Sequence, residues 1–504
     1  MRKNNSCLLG SDIGTSSVKT KLYTLEGETV GSAAKEYLLS YPKPNWIEVQ
    51  PGVIWTAVSD TIKQALRSAR IDSKDIEGIG ISSMTPSCLP IDKEGNPLRP
   101  ALIWCDLRSV DECDWLRENV GFKKVHQVCG NTISPYFGGP KWLWFKNKEP
   151  KLFEKTWKIL QCNGYVMYKL TGEAVIDFSQ AGLCVPAFDL NRRTWSYDMC
   201  ETMGIDTDIL PNVFPSSKVI GNVTSSAANS LGLRKGTPVV AGGGDFACSA
   251  LGCGVYETGE ACLMLGTAAD LLIPMKGGPF DPRLINSVNV TENYISLGNV
   301  FAGGVVRWFR DLLGSFRRAY KIDLKFLDEQ AEKIPPGSDG LIVSPHFIGN
   351  IAPGWNPFVR GVIFGMSASH TAAHIYRAIL EGVAYGVQNI LEIAREAGAD
   401  IESIVAVDGG AKSRLWRQIF ADVTNLKVMR YTSGGDATMA DAILAAKGTG
   451  LVKDFGKIGD WLKNADENEP DFNLHKKYAK YYKIYREIYA HLKQDFESLF
   501  YLKG

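Results

Sequence analysis

Asp245 is the residue whose type and setting first suggest chemistry. It stands in "VVAGGGDFACSALGCG" (residues 239–254), a carboxylate behind three glycines at the end of a short apolar run. The carboxylate is small and charged, and with glycines before it no bulky neighbour covers it. The competing reading is an Asp that only forms a turn.

Two further stretches carry a Gly-Thr pair. In "GSDIGTSS" (10–17), Gly14 makes a turn after an apolar run, and Thr15, Ser16 and Ser17 supply hydroxyl donors. Such a turn can point several backbone N–H groups at one anion. Asp12, at the strand end, can orient a hydrated Mg2+, since hard cations take oxygen ligands. A plain hairpin with a capping Asp is the other reading. In "LGTAADLL" (265–272), Gly266 and Thr267 repeat the pattern. Two such turns facing across a cleft would grip a polyphosphate from both sides. A third stretch, "VDGGAKSRLWRQIFADVTN" (407–425), ends a strand in Asp-Gly-Gly and opens a helix after Ser413. Gly409 and Gly410 let a flat ring approach the backbone, and the helix start offers unpaired N–H groups. A tight strand–helix turn is the alternative.

Alternating strands and helices must position these residues. "CLLGSDIG" reads as a buried strand, "VKTKLYTLEGETVGSAAKEY" as a hairpin, "PGVIWTAVSDTIKQALRSAR" as an amphipathic helix and "DIEGIGISSM" as a second buried strand. A similar series starts near residue 255, with "GEACLMLGTAADLLIPMKG" as strand, turn and strand, and "TAAHIYRAILEGVAYGVQNILEIAREAG" as the longest amphipathic helix. "DIESIVAVDGG" in this half parallels "DIEGIGISSM" in the first. The pattern predicts an α/β protein of two related lobes with a central cleft. The tail "HKKYAKYYKIYREIYAHLKQDFESLF" predicts an outer helix packed on the second lobe through Tyr, Ile and Leu.

Composition excludes several classes. With 45% hydrophobic and 22% charged residues and a net charge of +1, nothing suggests a nucleic acid or an anionic membrane as partner. Eleven cysteines without a C-x-x-C pair, and six histidines outside any Cys/His cluster, argue for core-filling thiols in a reducing compartment and against zinc. The start "MRKNNSCLLGSDIG" lacks the apolar stretch of a signal peptide, and no window is apolar enough to span a membrane, so a cytoplasmic protein is expected. The P-loop, protein-kinase, G-x-G-x-x-G, H-E-x-x-H and G-x-S-x-G templates are all absent.

Ordered pieces along residues 7–450 resemble the FGGY family of carbohydrate kinases, on its xylulokinase-like side. They are "DIGTSS", "WIEVQP" (46–51), "IWCDLRS" (103–109), "SPYFGGPKWLW" (134–144), "GGGD" (242–245), "LGT" (265–267), "AGGVVRW" (302–308), "GVIFGMSASHTAAHIYRAILEG" and "DGGAKSRLWRQIFADVTN". The resemblance implies an actin-like fold of two ribonuclease-H-like lobes. Residues 1–252 would bind sugar, and 253–504, with the helical tail, would bind ATP. It implies phosphoryl transfer from Mg-ATP to a sugar hydroxyl with Asp245 as base. Gly14, Thr15 and Ser16 would form the first phosphate loop, Gly266 and Thr267 the second, and Gly409, Gly410 and Ala411 the adenosine motif. Sugar would be read at Met84 and Thr85, where glycerol kinases carry Arg-Glu and xylulokinases Met-His, and next at Asp106 and Tyr136. Phe246, Asp270 and Asp436 depart from the family's usual residues. A ketopentose such as D-xylulose is the expected acceptor; L-ribulose, gluconate or a polyol, or a non-catalytic actin-like ATP switch, are the alternatives. A homodimer is compatible with the resemblance.

Overall fold

The computed structural model describes residues 6–315, 322–433 and 435–502. The stretch "NVFAGGVVRWFRDLLGSF" (299–316) predicts the start of a helix, and "GGDATMADAILAAKGTG" (434–450) a Gly turn feeding a small-residue helix, open to close packing or a nearby ligand; Phe316 of the first, Gly434 of the second, and Arg2 and Lys3 of the basic start lie outside the described residues. The chain divides into two compact units. The first takes Met1–Tyr256, Asn286–Ile295 and Ser433–Lys463; the second takes Glu257–Ile285, Ser296–Thr432 and Asn464–Gly504. The units are thus not the result of one cut: two later segments return to the first.

In the first unit the apolar runs form a mixed sheet. Its order is Val219–Asn222, Pro238–Val240, Ile76–Ser83, Cys7–Ile13, Ser17–Thr24, Thr29–Glu36, and Gly243–Gly244 adds a short parallel pairing to Ile76–Ser83. Strands 7–13 and 76–83 run parallel, with Asp12 opposite Ser82. Strands 7–13 and 17–24 are antiparallel, so the Gly14 turn closes a hairpin. Helix Pro51–Ala69 covers one face with Ile54, Val58, Ile62 and Leu66. Helix Ala437–Gly448 lies on strands 7–13 and 76–83 through small residues. A Cβ on Gly10 would lie 1.9 Å from the carbonyl oxygen of Thr438, and one on Gly80 2.1 Å from that of Asp441. The alanine-rich composition of this helix serves that close approach.

In the second unit the sheet runs Tyr294–Phe301, Ala268–Met275, Gly259–Leu265, Ile401–Val407, Lys427–Ser433, Lys463–Asn468. Strands 259–265 and 268–275 form the expected hairpin around Gly266 and Thr267. Strand 401–407 pairs in parallel with 259–265. The long helix Ala372–Glu396 and the tail helix Phe472–Tyr501 pack together, with Tyr478, Tyr482, Tyr485 and Ile488 buried as the periodicity requires. Glu381 seals this contact. Its carboxylate accepts from Arg377 Nε (2.9 Å), the Tyr478 hydroxyl (2.9 Å), Gly337 N (3.0 Å) and Ser338 Oγ (2.9 Å), which is what a buried charge needs.

Candidate active site

Asp245 opens helix Asp245–Gly252, with Gly244 as its N-cap. It is partly exposed while its neighbours on both sides are buried. Its Oδ1 accepts the N–H of Phe246 at 2.8 Å, and the helix N-terminus favours its negative charge. The glycines before it are required by packing. Gly242 has φ +67, and a Cβ there would sit 1.9 Å from the Ile81 carbonyl oxygen. A Cβ on Gly244 would meet Phe246 Cε1 at 2.7 Å and Thr85 Cγ2 at 2.9 Å. The Phe246 ring is therefore folded back over Gly244 beside Thr85.

A polar frame missed in the sequence holds this loop. Gln180 Nε2 donates to the Gly243 carbonyl (2.7 Å), and Ser179 Oγ accepts from Gly244 N (2.9 Å). Ser179 Oγ in turn donates to Asp177 Oδ2 at 2.6 Å, as Ser216 Oγ does at 2.8 Å. Burial pushes the Asp177 carboxyl up to about 6, against the pull of these donors. The partners are tens of residues from the glycines, so no local spacing announces them.

The first Gly-Thr turn is closed by Gly14 N to the Ser17 carbonyl at 2.9 Å. The Tyr37 hydroxyl donates to the Gly14 carbonyl, and Trp104 Nε1 donates to Thr15 Oγ1 at 3.1 Å. Ser16 is exposed; Thr15 and Ser17 are partly so. Asp12, also partly exposed, receives Ser82 Oγ at 3.3 Å; the same hydroxyl donates to Asp441 at 2.8 Å. Burial, then the Asp12 charge, push the Asp441 carboxyl well up from its ordinary value. Asp436, flagged as a departure, caps helix 437–448 and pairs with Lys21. Among the described residues no group of three or more His, Cys, Asp or Glu is arranged to hold a metal. An oxygen set led by Asp12 nevertheless fits a largely hydrated hard cation, which needs one or two protein carboxylates.

The four expected sugar contacts separate into two pairs. Thr85 and Tyr136 are partly exposed. Thr85 Oγ1 lies 3.4 Å from Gln161 Oε1, and the Tyr136 ring stacks on Trp104 at 6.3 Å and 26°. Met84 is 1% exposed and sits in the core, its N–H bonded to the Ile13 carbonyl at 2.8 Å. Asp106 is fully buried in a forked ion pair with Arg108 (2.7 Å at its shortest) and also accepts Ile47 N–H at 2.6 Å. Arg108 pairs with Glu48 at 2.8 Å and lies 3.8 Å above the Trp46 ring. Asp106 therefore joins the "WIEVQP" and "IWCDLRS" stretches, and its carboxylate is engaged there: the salt-bridged role, not that of a presented sugar ligand, is what its surroundings give it.

In the second unit, Thr267 Oγ1 accepts from Arg307 Nη2 (2.9 Å), and the Thr267 carbonyl accepts from Ala302 N (3.1 Å) and Gly304 N (3.0 Å). The "AGGVVRW" stretch thus braces the second Gly-Thr turn. Beside it, burial and then the Asp408 charge push Asp270 up to about 7. Gly410 is packed tightly, with Leu265 and Trp416 within 3 Å of where a Cβ would go, whereas a Cβ on Gly409 would meet nothing within 4 Å. Ala411 is buried and its carbonyl accepts from Arg417. Ser413 caps helix Arg414–Thr424, its Oγ accepting Trp416 N at 3.1 Å.

Comparison with known proteins fits this inventory. The model of the FGGY family of carbohydrate kinases, N-terminal domain, matches residues 7–252, and that of the C-terminal domain matches residues 254–447. The chain is 29% identical to a xylulose kinase of Bacillus subtilis (strain 168), covering 96% of this chain and 97% of the relative. It is 31% identical to glycerol kinase 2 of Saccharolobus solfataricus (strain ATCC 35092 / DSM 1617 / JCM 11322 / P2), covering 87% and 88%. A solved xylulose kinase from Rhodospirillum rubrum superposes with a TM-score of 0.91 at 29% identity, covering 97% of this chain and 100% of that one. The α/β, actin-like architecture expected from the sequence is the observed one. The chain belongs to the FGGY family of carbohydrate kinases and is a sugar kinase.

Proposed function

We propose that this kinase transfers the γ-phosphoryl group of Mg-ATP to a ketopentose, D-xylulose giving the 5-phosphate, with ATP as donor placing the reaction in the cytoplasm. The observation that carries the reading is the partly exposed Asp245 carboxylate, held at a helix start behind a glycine trio that hydrogen bonds on both sides keep rigid. Phosphoryl transfer passes through a loose transition state, so the acceptor hydroxyl needs aiming more than early deprotonation. Asp245 accepts the hydroxyl's hydrogen bond, points its oxygen at phosphorus and takes the proton as the new P–O bond forms. Thr85 and Tyr136 present polar atoms to the sugar; Met84 and Asp106 act from behind, in the core and the ion pair. The Gly14–Ser17 turn offers N–H and hydroxyl donors to phosphate, as do Gly266 and Thr267. The space beside Gly409 admits the adenosine, with Gly410, Ala411 and Ser413 shaping that turn. Asp12 would hold Mg2+, which when bound offsets charge on the transferring phosphates.

The test is ADP formation with a panel of ketopentoses, polyols and aldonates, run for the wild type and for Asp245→Asn. Sugar-dependent turnover greatest with D-xylulose and abolished by Asp245→Asn is expected. Turnover that ignores sugar and survives Asp245→Asn overturns the reading in favour of an ATP switch. Preference for L-ribulose, gluconate or a polyol would reassign the acceptor only.

A further inference from the structure

The "SPYFGGPKWLW" stretch carries a charged residue that the proposed chemistry leaves unused. Lys141 is completely buried, in the helix Gly138–Lys148. A buried ammonium is costly unless every N–H finds an acceptor. Here the acceptors are main-chain carbonyls of two loops: Asp106 O at 2.9 Å, Trp104 O at 3.4 Å and Pro135 O. Those loops carry the two stacked rings, Trp104 and Tyr136, and Trp104 reaches on to Thr15 of the first turn. Pro135 directly precedes Tyr136, so each ring has its own or its neighbour's carbonyl fixed by the same ammonium.

We propose that Lys141 is a positioning residue that sets the sugar-side wall: by bonding the carbonyls of Trp104, Asp106 and Pro135 it fixes the Trp104–Tyr136 stack. The role rests on the sugar-kinase reading above for its effect on KM, but the loop clamp itself does not. A side chain of the same length without donors leaves three carbonyls unpaired and frees the two loops to separate. The groups facing the ammonium are Asp106, held by Arg108, and the thiols Cys88, Cys105 and Cys113. Burial pushes those thiols up to between about 11 and about 12, so they stay neutral through mild alkali. Burial lowers Lys141 itself to about 8, so it passes from three donors to two in the accessible range.

The experiment compares the wild type with Lys141→Met, using D-xylulose or whichever sugar the panel accepts. We expect a tenfold or greater rise in sugar KM, with ATP KM and kcat within about threefold, and faster amide hydrogen exchange in residues 103–109 and 134–137. A merely structural residue would lower the yield of active enzyme and leave both KM values alone. Should Lys141→Met not fold, wild-type sugar KM is followed from pH 7 to 9.5; a rise above pH 8 with a flat ATP KM is expected. Unchanged sugar KM and unchanged exchange in folded Lys141→Met, or a flat wild-type profile, overturns the proposal. No sugar-dependent turnover in the wild type sinks the proposed function instead. The exchange data then decide the clamp by themselves, and unchanged exchange overturns it.

Discussion

The Gly14–Ser17 turn of the first unit and the Gly266–Thr267 turn of the second each close an antiparallel hairpin, yet different chemistry holds them. The first is gripped by two aromatic donors, Tyr37 on the Gly14 carbonyl and Trp104 on the Thr15 hydroxyl. The second is gripped by a guanidinium, Arg307, and by backbone N–H groups of the following helix, with the carboxyls of Asp270 and Asp408 alongside. Neutral donors hold the first turn, and a charged one holds the second. The same dipeptide therefore supplies a turn, and distant residues decide how it is held.

The largest expected effect does not distinguish the turns but anchors both. Asp245→Asn should lower sugar-dependent kcat by about 10²–10⁴-fold, the usual share of a positioned acid or base, measured as ADP release. The contrast itself breaks or sharpens on glycine substitutions. A Cβ on Gly303 would lie 2.1 Å from the Gly266 carbonyl oxygen, whereas one on Gly14 has no neighbour nearer than 3.3 Å. Gly303→Ala should cost about 1–3 kcal/mol in urea unfolding and raise ATP KM, while Gly14→Ala should cost about 1 kcal/mol or less. Equal costs would show that the two turns are braced alike.

The carboxyl beside the second turn gives a pH signature. Asp270, raised to about 7 from 3.8, holds a proton in the fold at pH values where the unfolded chain has lost it. The folded state then binds more protons, so stability falls as pH climbs from about 4 through about 7 and stays reduced above that. Asp270→Asn should flatten the melting temperature between pH 5 and 8 and raise it at pH 8. The smallest effects should come from the donors on the threonines. Trp104→Phe removes a partly buried hydrogen bond worth about 0.5–1.5 kcal/mol and should raise ATP KM through Thr15 and sugar KM through the Tyr136 stack. Arg307→Ala removes an exposed one, with a smaller loss of stability and a change in ATP KM alone.

Local patterns made much of this legible. Hairpins around both Gly-Thr turns, the strands of "DIEGIGISSM" and "DIESIVAVDGG", the cap at Ser413 and the tyrosine face of the tail helix all follow from periodicity and turn chemistry. What stayed hidden depends on partners far apart in sequence. Gln180 and Ser179 act on a loop more than sixty positions away, and Lys141 on carbonyls of residues 104 and 106. Asp106 read as a sugar contact because its type and loop position allow it; the Arg108 fork that consumes it appears only in three dimensions. The short-residue helix before residue 450 left packing and ligand approach both open, and Gly10, Gly78 and Gly80 show that packing claims it.

That helix has a consequence for biosynthesis. Its docking glycines, Gly10, Gly78 and Gly80, leave the ribosome well before residues 437–448 that cover them are made. At about 5–20 residues per second, one face of the nascent first sheet waits on the order of tens of seconds for its lid. A synonymous slowdown between the codons of Gly80 and of residue 437 should therefore lengthen the chain's stay with chaperones more than an equal slowdown ahead of Gly10.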